Sequence, residues 1–176
     1  LLDGLTRLVD RSLVVVDRSA STRYHMLETI RQYAREKLIA AGEAPALADR
    51  HFTVMAELAA AAEEPLHGPA MIDWLDRLDP EAENLAAALE WGLEASPWAA
   101  ALMAKALLAY WSARVFSADN DARIMAAVEA ARAHVADRST ADPADVSLAA
   151  QLLGESARLW AMAGRADRKS TRLNSS

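Results

Sequence analysis

Helical spacing of apolar residues is the feature that most constrains this chain, and it runs almost unbroken from residue 27 to residue 166. The first stripe consists of Leu27, Ile30, Ala34 and Leu38, with charged residues between them. Apolar residues that recur every three or four positions cover one face of an α-helix, and that face must pack against another surface. The pattern therefore predicts a mainly helical protein.

Proline and glycine mark the ends of the predicted helices. The pairs Asp79-Pro80, Ser96-Pro97 and Asp142-Pro143 each place a capping residue before a proline, which suits the first turn of a helix. Pro45 opens an earlier helix, and Gly42 is suited to end the helix before it. Because long helices joined by short links pack as antiparallel hairpins, we expect an incomplete α-solenoid.

Residues 12–26 interrupt the helical pattern. Residues 13–16 are mostly β-branched, which suits a strand, and residues 17–21 are polar and typical of a turn. Residues 22–26 can form the returning strand. We therefore predict a single β-hairpin near the N-terminus.

The composition narrows the functional classes. The chain has no cysteine, which excludes disulfides and thiolate metal sites and favours a reducing, cytoplasmic compartment. No apolar run is long enough to predict a transmembrane helix. Residues 51–166 carry eight basic and seventeen acidic side chains. Because such an acidic body repels phosphate backbones, we do not expect its helices to bind nucleic acid.

No residue pattern predicts a catalytic or metal site. The four histidines do not share the spacing of metal ligands. Asp79, Glu81 and Glu83 lie at a predicted helix start, where the helix dipole favours acids, so capping is preferred over acid–base chemistry. Ser112 and Ser156 have no histidine within reach on the same helix face. We therefore expect that the chain is not an enzyme.

The tryptophan residues can be interpreted in two ways, as core residues or as the lining of a binding groove. The five tryptophans lie at helical spacing, which favours core packing over an aromatic ligand groove. Helical repeats nevertheless bind partners on their concave face. Trp111 and Arg114 are the residues that we predict for partner binding on such a face.

Two blocks of sequence resemble a known family. Residues 12–14 and 23–38 resemble the wing and following helix of STAND-type regulators, bacterial ATPases related to the NB-ARC ATPases and often classed as LuxR-type or SARP-type transcriptional regulators. Residues 74–78 and 83–91 resemble the link into their tetratricopeptide-like sensor repeats. The resemblance covers residues 1–135. It implies that the whole protein has an ATPase core, a winged-helix module, helical repeats and a terminal DNA-binding domain.

The resemblance also bears on nucleotide binding. The chain contains no GxxxxGK loop, so ATP or ADP would bind to the missing ATPase domain and no cofactor is expected in this fragment. NB-ARC relatives sense nucleotide through a Met-His-Asp triplet. Met26 matches its methionine and Glu28 keeps an acid in place of the aspartate, whereas Leu27 replaces the histidine. Leucine cannot donate a hydrogen bond to phosphate. The alternative interpretation makes Met26 and Leu27 core residues and Glu28 a first-turn acid.

These patterns predict the organisation of the chain. Residues 1–42 would be the C-terminal part of a winged-helix module, residues 43–95 a helical linker, and residues 96–166 truncated tetratricopeptide-like repeats. Residues 167–176 break the alanine-rich acidic pattern and resemble a translated sequencing adapter. Because the chain begins with Leu1 inside a helical pattern, we expect a fragment of a longer protein.

The predicted function is that of a non-catalytic coupling and sensor segment in an ATP-dependent transcriptional regulator. The expected partners are the missing ATPase core and an effector, either a protein or a small molecule, on the repeats. DNA would be reached only through a missing domain, because acids interleave with the arginines around the hairpin. No membrane is involved. The alternative is a freestanding tetratricopeptide-like adaptor for protein interactions.

Overall fold

The computed structural model describes residues 2–18, 22–114, 118–136 and 141–173, with side chains described from residue 3 to residue 162 within those ranges. The described residues form eight α-helices and one two-stranded sheet. The chain divides into two compact units, Leu1–Leu47 and Ala48–Ser176. The predicted fold class, mainly helical with an N-terminal hairpin, is confirmed.

The first unit is small and contains the hairpin. Its described elements are helix α1 (Leu2–Asp10), strands β1 (Val15–Asp17) and β2 (Arg23–His25), and helix α2 (Glu28–Ala40). The strands are antiparallel, and Val16 lies opposite Tyr24. Each strand has three residues, so the hairpin is shorter than the sequence pattern predicts.

Both helices of the first unit end in a Schellman motif. Gly42 follows α2 with φ of 70°, as predicted for the residue that stops this helix, and Ser12 follows α1 with φ of 58°. In each motif the amide of the residue with positive φ donates to the carbonyl of the residue three positions before it. The amide of the following residue donates to the carbonyl of the residue five positions before that one. Glycine adopts this left-handed conformation freely, whereas a residue with a Cβ is strained by about 1 kcal/mol.

The second unit contains the hydrophobic core. Its helices are α3 (Ala44–Glu63), which begins just before the division between the units, α4 (Met71–Leu78), α5 (Ala82–Ala95), α6 (Pro97–Ala113), α7 (Ala118–His134) and α8 (Pro143–Leu173), with 3-10 turns at Pro65–His67 and Asp79–Glu81. Ten residues of α6 are buried, and this helix packs against α5, α7 and α8. Because α6 is apolar around its whole circumference, it occupies the centre of the unit.

Contacts between helices show that neighbours run antiparallel. Trp98, at the start of α6, stacks on His134 at the end of α7 with ring centroids 4.3 Å apart. Trp160 in α8 donates its indole N–H to Asp121, near the start of α7, at 3.2 Å. The predicted antiparallel packing is therefore confirmed, while the comparison with tetratricopeptide repeats stays a prediction.

Two of the predicted helix starts are confirmed, whereas the cap predicted at Asp79 is not. Pro97 and Pro143 begin α6 and α8, and Asp142 caps α8 because its carboxylate accepts the amide hydrogen bond of Ala144 at 2.8 Å. The capping role predicted for Asp79 is wrong. A 3-10 turn precedes α5, and the Asp79 carboxylate binds Arg114 instead of a helix amide.

None of the described helices is both long enough and apolar enough to cross a membrane. The backbone of α8 continues as far as Leu173. The interpretation of residues 167–176 as adapter-derived stays a prediction.

Candidate functional site

The predicted nucleotide-sensing residues lie between the hairpin and α2. Met26 is 39% exposed and Leu27 is 55% exposed, so the interpretation of both as core residues is wrong. Leu27 occupies the N-cap position of α2, where its side chain makes no capping hydrogen bond. Glu28 forms an ion pair with Arg31, one turn further along the helix. Nucleotide sensing by Met26 and Glu28 stays a prediction.

The first unit exposes several large apolar side chains. Among its described residues, Val14 is the one buried hydrophobic residue, and α2 has no buried residue at all. The large apolar residues that it exposes, which we call the apolar surface of the first unit, are Val15, Tyr24, Met26, Leu27, Tyr33, Ile39 and Leu47. Single exposed apolar residues are common, but a unit whose described part exposes seven large ones and buries one is a candidate for binding a partner. Leu27, Tyr33 and Ile39 are six residues apart, so they point to different sides of α2 and each would meet a different part of a partner.

The predicted partner-binding residues lie at the C-terminal end of α6. Trp111 is only 6% exposed and packs in the hydrophobic core, so it offers little surface to a partner. Arg114 lies at the surface, where its Nη2 atom is 2.9 Å from a carboxylate oxygen of both Asp76 and Asp79. The arginine therefore ties the end of α6 to the turn that precedes α5. Partner binding by Trp111 and Arg114 stays a prediction.

Asp79 also accepts a hydrogen bond from the hydroxyl of Tyr110. Burial of this tyrosine, and then the nearby Asp79 charge, raises the pKa of Tyr110 to about 12. The hydrogen bond to Asp79 raises the pKa of the Arg114 guanidinium. The acids of this cluster are plain in the sequence, but no local signal connects them to an arginine 35 residues away.

The histidines do not form a metal site within the described part of the chain. Side chains that could bind a metal ion are not grouped in threes anywhere among the described residues. His134 stacks on Trp98, and its Nε2 atom lies 2.8 Å from the Asp145 Oδ2 atom. His51 is half-buried on α3.

A cleft between α3 and α6 is a feature that the sequence does not predict. Its volume is about 520 Å³, and Leu148 of α8 closes one side. Lys105 of α6 and Glu63 of α3 form an ion pair in its wall. We call this feature the α3–α6 cleft. Its apolar lining has the same residue types as the hydrophobic core, so no sequence signal distinguishes positions around the cavity from core positions.

These features define a helical module that has a buried core in its second unit, exposed apolar side chains on its first unit and a cleft between α3 and α6. Three curated mycobacterial proteins, one from Mycobacterium bovis and two from strains of Mycobacterium tuberculosis, are 43% identical to it over 119 residues. Each of the three carries the provisional name of HTH-type transcriptional regulator.

The matched region is 65% of this chain but only 13% of each relative. The chain therefore spans about an eighth of the length of these regulators. No family model matches the chain, and no solved structure matches it.

Proposed function

We propose that this chain is the non-catalytic coupling and sensor segment of an ATP-dependent transcriptional regulator of the STAND class. The names of the three relatives support the role in transcription. The resemblance of residues 12–38 to a wing and its following helix supports the ATPase class. In this proposal the regulator acts in the cytoplasm, the first unit docks on the ATPase domain, and the helices of the second unit receive the effector.

The apolar surface of the first unit is the observation that carries the proposal. One buried hydrophobic residue among the described positions is too little core for a unit of this size to be stable alone. Docking on the ATPase domain would bury the exposed apolar side chains, and each Å² removed from water stabilises the docked state by about 25 cal/mol. An effector that prefers one state would then shift the equilibrium between docked and undocked forms.

The substitution Leu27→Asp in the full-length regulator tests this docking. It removes an exposed apolar side chain from the proposed interface and also supplies a preferred N-cap residue, which stabilises α2 by about 1 kcal/mol. Full burial of a leucine contributes about 1.5–3 kcal/mol and Leu27 is 55% exposed, so the docking equilibrium should change about fourfold to fifteenfold. We expect a corresponding change in transcription from a reporter driven by the regulated promoter.

Thr29→Asp is the matched control. Thr29 is also exposed in the first turn of α2, and the substitution adds the same charge without removing a large apolar group. Reporter output should stay within about twofold of wild type, because a surface change contributes within about 0.5 kcal/mol. Equal output from Leu27→Asp, Thr29→Asp and wild type would refute docking through this surface and favour the freestanding adaptor.

A further inference from the structure

We propose that the α3–α6 cleft binds an uncharged, mainly apolar small molecule whose carbonyl oxygen accepts a hydrogen bond from Lys105. The inference deepens the proposed function, on which it rests, because it gives the sensor unit a ligand class. The cleft lies wholly within the second unit, between helices that bury most of that unit's core.

The size and lining of the cleft suit a small molecule with an apolar body. Its volume of about 520 Å³ falls within the range of about 300–1,000 Å³ that small-molecule sites occupy. Eight of the twelve described residues that line it are apolar, among them Phe52, Leu102, Met103 and Leu148. The Phe52 ring lies so close to Gly92 of α5 that a methyl group there would come within 2.8 Å of its Cδ2 atom. This wall is therefore held in place by packing.

Lys105 supplies the polar anchor of the cleft. Only 9% of this residue is exposed, although lysine is almost never buried unless it is paired. Its Nζ atom donates to Glu63, which is its hydrogen-bond partner among the described side chains. An ammonium group has three N–H donors, so two remain after this bond. A carbonyl oxygen on a bound ligand can accept one of them in a lining that offers few other polar groups.

The charges around the cleft select against an ionised ligand. Glu57 and Glu63 line it together with Lys105, so these described side chains give the lining a net charge of −1. A carboxylate that approached the ammonium would be repelled by Glu63 beside it. An amine would be attracted by Glu57, but it would lose its hydration in an apolar space, and at the position of the carbonyl group it would be repelled by Lys105. An uncharged acceptor avoids both costs and leaves the ion pair intact.

Nile red, an uncharged aromatic dye with one carbonyl group, is the probe for the first experiment. The intact 176-residue chain is titrated while the ε-methyl signals of its methionines are followed by NMR. Met103 lines the cleft, whereas Met125 lies exposed on α7 outside it. We expect the Met103 signal to shift with saturation and the Met125 signal to stay in place. A Met125 shift without a Met103 shift, or no binding at all, would overturn the proposal.

Two alanines of α3 provide a matched pair of variants. Ala60 and Ala61 are both exposed, but only Ala60 lines the cleft. Ala60→Phe should fill part of the cavity and weaken Nile red binding at least about tenfold, the effect of losing the contacts of one buried ring. Ala61→Phe should change the dissociation constant less than about twofold. Equal weakening by both variants would contradict binding in the cleft.

The role of the ammonium is tested by removing the ion pair as a unit. Lys105→Met combined with Glu63→Gln leaves no unpaired charge, and circular dichroism confirms that the double variant keeps its helices. We expect Nile red to bind about tenfold more weakly, because one charge-assisted hydrogen bond is lost. Pyrene, an aromatic probe of similar apolar character without a carbonyl, should bind both proteins equally. Unchanged Nile red affinity would overturn the assignment of Lys105.

The preference for an uncharged ligand is tested with the anionic dye 8-anilinonaphthalene-1-sulfonate. Nile red should shift the Met103 signal at lower concentration than this dye does. The reverse order would overturn the charge argument. All of these measurements use the isolated chain and report on its second unit. Their failure would therefore leave the Leu27→Asp reporter test of the proposed function unaffected.

Discussion

Adding one methyl group at Gly92 tests the packing of α5 against α3. Gly92 is buried, and a Cβ at this position would lie 2.8 Å from the Cδ2 atom and 3.0 Å from the Cζ atom of Phe52. The Cε2 atom of Phe52 would lie closer still, and ordinary van der Waals contact begins at 3.4 Å, so the Phe52 ring must withdraw by more than about 0.6 Å. Leu85 and Leu89 are buried on the same helix, so a shift of α5 itself would disturb their packing as well.

The expected change in the free energy of unfolding on Gly92→Ala follows from two opposing effects. Replacing glycine by alanine inside a helix stabilises it by about 1 kcal/mol. Overpacking of a well-filled core costs about 1–3 kcal/mol. We therefore expect Gly92→Ala to destabilise the second unit by about 1 kcal/mol. Gly154→Ala is the control, because a methyl group added at Gly154 in α8 would meet no neighbouring atom within 4 Å, and it should stabilise by about 0.5–1 kcal/mol.

Urea unfolding followed by tryptophan fluorescence measures this difference. All five tryptophans belong to the second unit, so their signal reports on that unit. Phe52→Leu removes the ring atoms that collide with the new methyl group, and in the Phe52→Leu background Gly92→Ala should lose most of its cost. If Gly92→Ala stabilised the protein as much as Gly154→Ala does, the close packing of Phe52 on Gly92 would be refuted.

Three further predictions concern single residues. Ser12→Gly should stabilise the end of α1 by about 1 kcal/mol because glycine tolerates φ of 58°, and slower hydrogen exchange in α1 would show it, whereas faster exchange would contradict it. Arg114→Ala should lower the free energy of unfolding only slightly, and by less still in high salt, because its two ion pairs are solvent-exposed; a large, salt-independent loss would contradict this. The pKa of Tyr110 is raised from 10.0 to about 12, so its contribution to stability is complete below pH 10 and is lost as the pH rises towards 12. Urea unfolding at several alkaline pH values should show this decline, and Tyr110→Phe should reduce it; an equal decline in both proteins would refute the assignment.

Features that depend on neighbouring residues could be predicted from the sequence. The helices follow from apolar stripes, and the end of α2 follows from Gly42 because few other residues adopt its φ of 70°. Asp142 caps α8 as its position before Pro143 indicates, since the capping bond reaches only two residues along the chain. In each case the physical cause is local.

Features that depend on distant residues could not be predicted. Asp79 has the sequence context of a helix cap, yet Arg114 binds its carboxylate across 35 residues. Met26 and Leu27 are apolar, which favours a place in a core, but the described part of the first unit supplies no core to receive them. The α3–α6 cleft likewise depends on how far apart two helices lie, which their apolar stripes do not specify.

Hydrogen exchange in α2 tests most directly the claim that the first unit acquires its packing partner from the rest of the regulator. In the isolated chain, amides of Glu28–Ala40 should exchange quickly, because this helix buries no side chain completely. In the full-length protein the same amides should exchange at least about tenfold more slowly, as expected if docking adds about 1.4 kcal/mol or more. Equal exchange rates in the two proteins would contradict the claim.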